Sequence, residues 1–206
     1  MNGPALVVKL GGSLAADKRL GAWLRVIAAS RGVLLVPGGG PFADTVRAQQ
    51  AVIGYDERAA HEMAMMAMSQ FGLALAARLP GLTPALSLAE LARSQAHEGG
   101  AIALAWPMLR AEETLPASWD VTSDSIALWL ARRFSAPLLI IKAAPIPPQA
   151  GLSAMVREGV LDRFFPTLAA GVCRPIHLAG AIDLPDGAAL DPERLPGQPL
   201  LQTRLA

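Results

Sequence analysis

The sequence predicts an α/β fold, a three-layer α/β/α sandwich with a mainly parallel central sheet. Three observations predict it. Short, continuous apolar runs recur along the chain, as in strands buried on both faces. Segments of helical period stand between them, the order of a parallel sheet with crossover helices. The chain has 206 residues, 52% hydrophobic and 17% charged, which suffices for one sizeable core and is too apolar for a disordered chain.

Each element follows from its residues. Residues 5–10 (ALVVKL) are the first apolar run. Residues 17–30 set Leu20, Trp23, Leu24, Ile27 and Ala28 at helical spacing. Residues 32–36 (GVLLV) read as a second strand, and 41–50 as a helix with Pro41 in its first turn. Asp56 is an N-cap for a helix to about residue 78. That helix is apolar nearly all round and is expected to be buried. Residues 101–106 (AIALAW) are a third strand, and Thr122 or Ser123 caps a helix to about 134. Residues 137–141 (PLLII) are a fourth strand, 159–171 a further helix, 175–178 (PIHL) a fifth strand and 199–204 an edge strand. Neither a repeat nor a low-complexity linker divides the chain, so residues 1–206 are expected to form a single domain.

Lys and Arg total 18 and Asp and Glu 17, a net charge of +1 that argues against a nucleic-acid partner. The one cysteine, Cys173, has no internal disulfide partner and is expected to be buried, in a reducing, cytoplasmic setting. The start MNGPALVVKLGG has no basic segment before its short apolar run, so a signal peptide is not expected. The longest uncharged stretch, residues 63–77, falls short of the ~18 residues of a membrane span, so no membrane partner is expected. Low charge and high apolar content suggest a surface covered by another copy, a homo-oligomer.

The chemistry is expected in loops after strands, where open parallel sheets bind ligands. Lys9-Leu10-Gly11-Gly12-Ser13 follows the first strand. Pro37-Gly38-Gly39-Gly40-Pro41 follows the second and opens onto a helix. Glycine permits close backbone approach, and a helix N-terminus offers free N–H groups to an anion. Two such loops suggest two anionic groups or one polyphosphate. Neither carries the Gly-Lys-Ser/Thr of a P-loop. Lysine is rare: Lys9, Lys18 and Lys142 stand against 15 arginines. Lys9 and Lys142 each end an apolar run, where a charge needs a partner. A retained, compact ammonium suits phosphoryl transfer, in which charge on the transferred group must be neutralised. Residues 120–127 (DVTSDSIA) place Asp124 in the first turn of a helix, where a carboxylate could hold two lysines.

In this order, Lys-x-Gly-Gly-Ser, Gly-Gly-Gly and Thr-Ser-Asp-Ser-x-Ala resemble the amino acid kinase family. Residues 38–47 (GGGPFADTVR), 56–72 (DERAAHEMAMMAMSQFG) and 159–168 (GVLDRFFPTL) are most similar to one branch of it, which contains the aminomethylfuran phosphate kinase of methanofuran biosynthesis. The resemblance implies a kinase that uses ATP and Mg2+ to convert a small phosphorylated acceptor into a diphosphate. In that branch the acceptor is an aminomethylfuran methyl phosphate. It implies catalytic roles for Lys9, Asp124 and Lys142. It assigns Gly11, Gly12 and Ser13 to the ATP phosphates, and Gly38, Gly39, Gly40, Arg47, Arg58, His61, Thr122 and Ser123 to the acceptor. It splits the domain into an acceptor-binding half, about 1–135, and a shortened nucleotide-binding half, about 136–206. No protein ligand to a metal is implied, since Mg2+ would be held by ATP and water.

Two departures stand out. The loop 142–148 (KAAPIPP) lacks the acid found in many relatives, and no lysine follows Lys142. Either Lys142 supplies the family's second charge, or an arginine such as Arg157 does, or ATP affinity is poor. The alternatives are a carboxylate or carbamate kinase, and a non-catalytic ATP- or oxyanion-binding protein on the same fold. On the residues alone, His61 reads equally as a buried structural histidine. Asp44, Arg47, Arg58 and Glu62 read equally as mutual ion pairs. Either Asp44 or Glu62 would suit an amine on the acceptor.

Overall fold

A computed structural model describes residues 3–94 and 99–200. Its sheet runs in the order β3-β4-β2-β1-β5-β6-β7. The strands are β1 (Leu6–Leu10), β2 (Val33–Pro37), β3 (Leu82–Ala85), β4 (Gly100–Ala103), β5 (Leu138–Lys142), β6 (Ile176–Gly180) and β7 (Gln198–Pro199). All pair in parallel except β7, which runs antiparallel to β6. The helices are α1 (Leu20–Ala29), α2 (Gly40–Ile53), α3 (Glu57–Ala76), α4 (Leu88–Ser94), α5 (Ala105–Leu109), α6 (Ser123–Phe134), α7 (Leu152–Arg157) and α8 (Phe165–Ala169).

Strand alternation sorts the core into two faces. Val7, Leu34, Val36, Leu138 and Ile140 pack with Ile126, Leu130 and Phe165 on one face. Leu6, Val8, Leu10, Val33, Leu35, Leu139 and Ile141 pack with Trp23, Leu24 and Ile27 on the other. This is the expected three-layer arrangement. Both faces of β1, β2 and β5 are covered, which is why these strands read as continuous apolar runs.

Several elements differ from the sequence reading. β3 and α4 were absent from it; β3 has four residues including Pro84, and proline is tolerated because this is an edge strand. The third run stops at Ala103, and Trp106 lies in the short helix α5. Residues 159–171 do not form one helix. α7 precedes Gly159, which takes a positive φ of 70°, and α8 starts at Phe165 beside Pro166. The first-loop residues Gly12–Ala16 wind into a 3-10 turn, so α1 begins only at Leu20. Asp56 caps α3 as expected, accepting from Ala59 N at 2.8 Å. α3 is not buried all round, for Met66 and Leu73 are exposed. Cys173 is exposed rather than buried. Of the expected strand 199–204, only residues 199 and 200 lie within the described residues, and Pro199 alone belongs to β7. No helix among the described residues is long and apolar enough to cross a membrane.

The two glycine loops meet backbone to backbone. A Cβ on Gly12 would stand 2.1 Å from Gly40 N, and one on Gly38 would stand 2.4 Å from Gly12 N. The obstacle is main chain, which has little freedom to yield. Gly12→Ala should therefore lower the unfolding free energy by about 1–3 kcal/mol, the usual cost of overpacking. Urea unfolding checks this against Gly81→Ala, whose added methyl meets nothing and should leave stability no lower.

Candidate active site

Strand period two puts Lys9 on the same face as Val7, the face that α6 covers. The register pairs Lys9 with Ile140, so Lys142 lies on that same face two residues further along β5. α6 starts above this edge of the sheet. Thr122 is its N-cap, and Asp124 lies in its first turn. The three charges converge there. Lys142 Nζ donates to Asp124 Oδ2 at 2.6 Å. Lys9 Nζ stands 2.8 Å from Asp124 Oδ1, an ion contact outside hydrogen-bond alignment. Lys9 and Asp124 are only 4% and 3% exposed, and the Lys142 side chain is 18% exposed.

Two ammonium groups on one carboxylate leave this buried cluster with one net positive charge. Burial lowers the Lys9 pKa from 10.5 to about 8; Asp124 opposes the shift and the Lys142 charge adds to it. Burial pushes the Asp124 carboxyl up, but Lys9 and Lys142 outweigh it and hold the group below its usual value. Asp124 therefore stays ionised at neutral pH.

Two adjoining clefts flank the cluster. The first, about 200 Å3, is floored by both glycine loops through Gly12, Ser13, Gly38, Gly39 and Gly40. Asp44, Arg47, His61, Met65, Met68, Trp119 and Ser123 complete it. Its volume lies below the ~300–1,000 Å3 of drug-sized pockets, which suits a small ligand. The second cleft, about 850 Å3, is lined by Lys9, Asp124, Lys142, Arg157, Asp162 and Arg163. Trp119 and Thr122 line both.

The structure thus gathers Lys9, Asp124 and Lys142 in one place and Gly12, Ser13, Gly38, Gly39, Gly40, Arg47, His61 and Ser123 in another. Gly11 lines neither cleft; it packs beneath, against the Ile141 carbonyl. Arg58 also falls outside both. Its side chain is 80% exposed and stands 3.8 Å from Glu62. His61 lines the first cleft, but burial lowers its pKa, outweighing the Ser118 carbonyl and Glu62 that raise it, so it is neutral at pH 7. Thr122 is not free to meet a ligand with its donors. Its N–H and its hydroxyl both donate to Asp162 Oδ2 at 2.9 Å.

Asp162 escaped the sequence reading. Besides Thr122 it accepts from Ser125 N at 3.0 Å, from the Ser125 hydroxyl and from Phe165 N at 2.9 Å. One carboxylate thereby ties the start of α6 to the start of α8. A capping signal was present, since Asp162 stands three residues before Phe165 and Pro166 follows. Trp119 also escaped, and nothing local marks it. Among the described residues no three His, Cys, Asp or Glu side chains converge to hold a metal ion. In the second cleft Asp124 is taken by two lysines, Asp162 by its donors, and Asp120 stands 3.6 Å from Arg163. The donor set suits a metal carried in by a ligand's own oxygens rather than one held by protein carboxylates.

The Lys9 pKa has a measurable consequence. Between pH 8 and 10.5 the unfolded chain keeps a proton that the folded chain has released, so stability gains from rising pH. Lys9→Met lacks this gain. The unfolding free energy of the wild type relative to Lys9→Met should rise by about 3 kcal/mol across that window. Urea unfolding at a series of pH values checks it; a flat difference would mean that the ammonium is solvated.

Comparison with known proteins accords with this geometry. Residues 4–143 match the sequence profile of the amino acid kinase family. The chain is 30% identical over 138 residues to the [5-(aminomethyl)furan-3-yl]methyl phosphate kinase of Methanocaldococcus jannaschii, a match spanning 66% of this chain and 63% of that protein. The uridylate kinase of Archaeoglobus fulgidus superimposes with a TM-score of 0.65 at 15% identity, over 96% of this chain and 100% of that one. The aspartate kinase of Synechocystis gives 0.61 at 15% identity, over 97% of this chain and 40% of that one. The profile match runs from before β1 to just past Lys142 and so contains every residue of the lysine–aspartate cluster: the chain belongs to the amino acid kinase family.

Proposed function

We propose that the chain is a small-molecule kinase that transfers the γ-phosphoryl group of ATP to a phosphomonoester and releases a diphosphate and ADP. The observation that carries this reading is the buried Lys9–Asp124–Lys142 cluster beside two adjoining clefts. The wide cleft takes the ATP phosphates, and the small glycine-floored cleft takes the acceptor. An acceptor oxygen bonds to the γ-phosphorus as the bond from that phosphorus to the bridging oxygen breaks, and ADP takes the bonding pair. A phosphomonoester is largely a dianion near pH 7, so no side chain need remove a proton. The chain's work is positioning and charge neutralisation. Lys9 and Lys142 face the transferred group, and Asp124 holds both ammonium groups in place. Gly12 and Ser13 line the glycine-floored cleft and not the wide one, so with the Gly38–Gly40 backbone they offer N–H groups to the acceptor's phosphate rather than to the ATP phosphates that the family resemblance assigns to them, and Arg47 is the cation of that side. Mg2+ bound with the nucleotide supplies further neutralisation of phosphate charge. The residues before about 136 form the acceptor half, and those after it supply most of the nucleotide side.

The finer reading is an acceptor that carries both a phosphate and an amine, an aminomethylfuran methyl phosphate. The relative from Methanocaldococcus jannaschii is named for that substrate. Asp44 lines the acceptor cleft, whereas Glu62 faces Arg58 outside it, which favours Asp44 as the amine's partner. Self-association belongs to the same proposal. The exposed side chains of Val52 and Ile53 on α2 and of Met66 and Leu73 on α3 support it.

Transfer from labelled ATP to a panel of small acceptors tests the reading. Phosphomonoesters should be turned over, and acetylglutamate and carbamate should not. ATP binding without turnover of any acceptor would favour the non-catalytic alternative. Lys9→Met should lower kcat by roughly 10²–10³, the cost of losing one preorganised charge-stabilising donor. Activity within threefold of wild type would remove Lys9 from the chemistry. In steady-state kinetics Arg47→Ala should raise the acceptor KM far more than the ATP KM; equal effects would place Arg47 outside the acceptor site.

A further inference from the structure

Arg47 is the only charged cation lining the first cleft among the described residues, since His61 there is neutral. An arginine in a cleft is commonly held by a carboxylate, which uses up its donors and its charge. Arg47 is held differently. Among the described residues no carboxylate stands within ion-pair distance of it, and its Cζ lies 4.3 Å from the centroid of the Trp119 ring. A guanidinium held over a ring rather than by a carboxylate keeps N–H donors available to a ligand.

Trp119 is itself anchored at two points. Its indole Nε1 donates to Gln50 Oε1 at 2.7 Å, and its backbone N donates to Glu57 Oε2 at 3.4 Å. Gln50 Nε2 in turn donates to Glu57 Oε1 at 3.2 Å. The ring is thus tied to α2 and to the start of α3, elements that also contribute Arg47 and His61 to the cleft. We infer that Trp119 is a positioning residue: it holds the Arg47 guanidinium over its ring, at the wall of the first cleft, so that N–H donors are left for the phosphate of the acceptor. The inference rests on the proposed function only in taking the ligand as an acceptor phosphate; a guanidinium with no carboxylate partner suits an oxyanion whether or not transfer follows.

Calorimetric titration with benzyl phosphate and with inorganic phosphate, on the full chain without nucleotide, tests this apart from turnover. Trp119→Leu should weaken binding of both probes by about 3–30-fold, the range of a cation–π contact. Trp119→Phe, which keeps a ring beneath the guanidinium, should stay within threefold of wild type. In an Arg47→Ala background, Trp119→Leu should cause no further loss, because a residue that acts through Arg47 has nothing left to position. Circular dichroism and melting temperature establish that each variant is folded. Wild-type-like binding by a folded Trp119→Leu variant would overturn the inference. So would a loss of the same size with and without Arg47, which would mean that the indole acts on its own. Failure of the wild type to phosphorylate any phosphomonoester would sink the proposed function while leaving this binding result to stand or fall alone.

Discussion

Two ammonium groups share one carboxylate at the carboxyl ends of β1 and β5, and the rest of the site is arranged around that contact. Three charges in one nearly water-free spot are tolerated only when each has a partner. Asp124 meets that condition with one oxygen toward each lysine. The sum stays at one positive charge, which a bound anion would balance. Burial, with the Lys142 charge adding to it, lowers the Lys9 pKa to about 8.

Placing Asp124 accurately requires that α6 start at one defined point. Thr122 and Ser125 secure that start by donating to Asp162, which also accepts from Phe165 N at the start of α8. At the N-terminus of α6 the Thr122 and Ser125 donors are therefore taken up by the chain's own Asp162 carboxylate. Ser123, between these two residues, lines the glycine-floored cleft. The glycine loops play the complementary part. Their mutual contact, too close for a Cβ at Gly12 or Gly38, fuses two loops into one backbone floor.

Much of this was legible in the sequence, because the relevant signals are local. Continuous apolar runs marked β1, β2, β5 and β6, since strands buried on both faces carry no polar alternation. Asp56 and Thr122 announced their helices through capping chemistry. The scarcity of lysine singled out Lys9 and Lys142. Elements without such signals were missed or misplaced. β3 is four residues with a proline, and α7 and α8 are helices of six and five residues with a glycine at positive φ between them.

By itself the sequence determined the fold class, the two glycine loops and the three charged residues of the cluster, because period and composition dictate which face a side chain occupies. Only the tertiary structure decided which residues meet. The register of β1 against β5 set Lys142 beside Lys9 on one face. The path of the chain before α6 laid Trp119 over Arg47, while Arg58 on α3 stays in solvent. The turn before α8 carried Asp162 back to Thr122. The physical reason is common to all three. Local pattern fixes the direction of a side chain relative to its own element, whereas a contact between distant residues depends on how whole elements pack, and that is settled by the sum of the core's contacts rather than by the residues that meet.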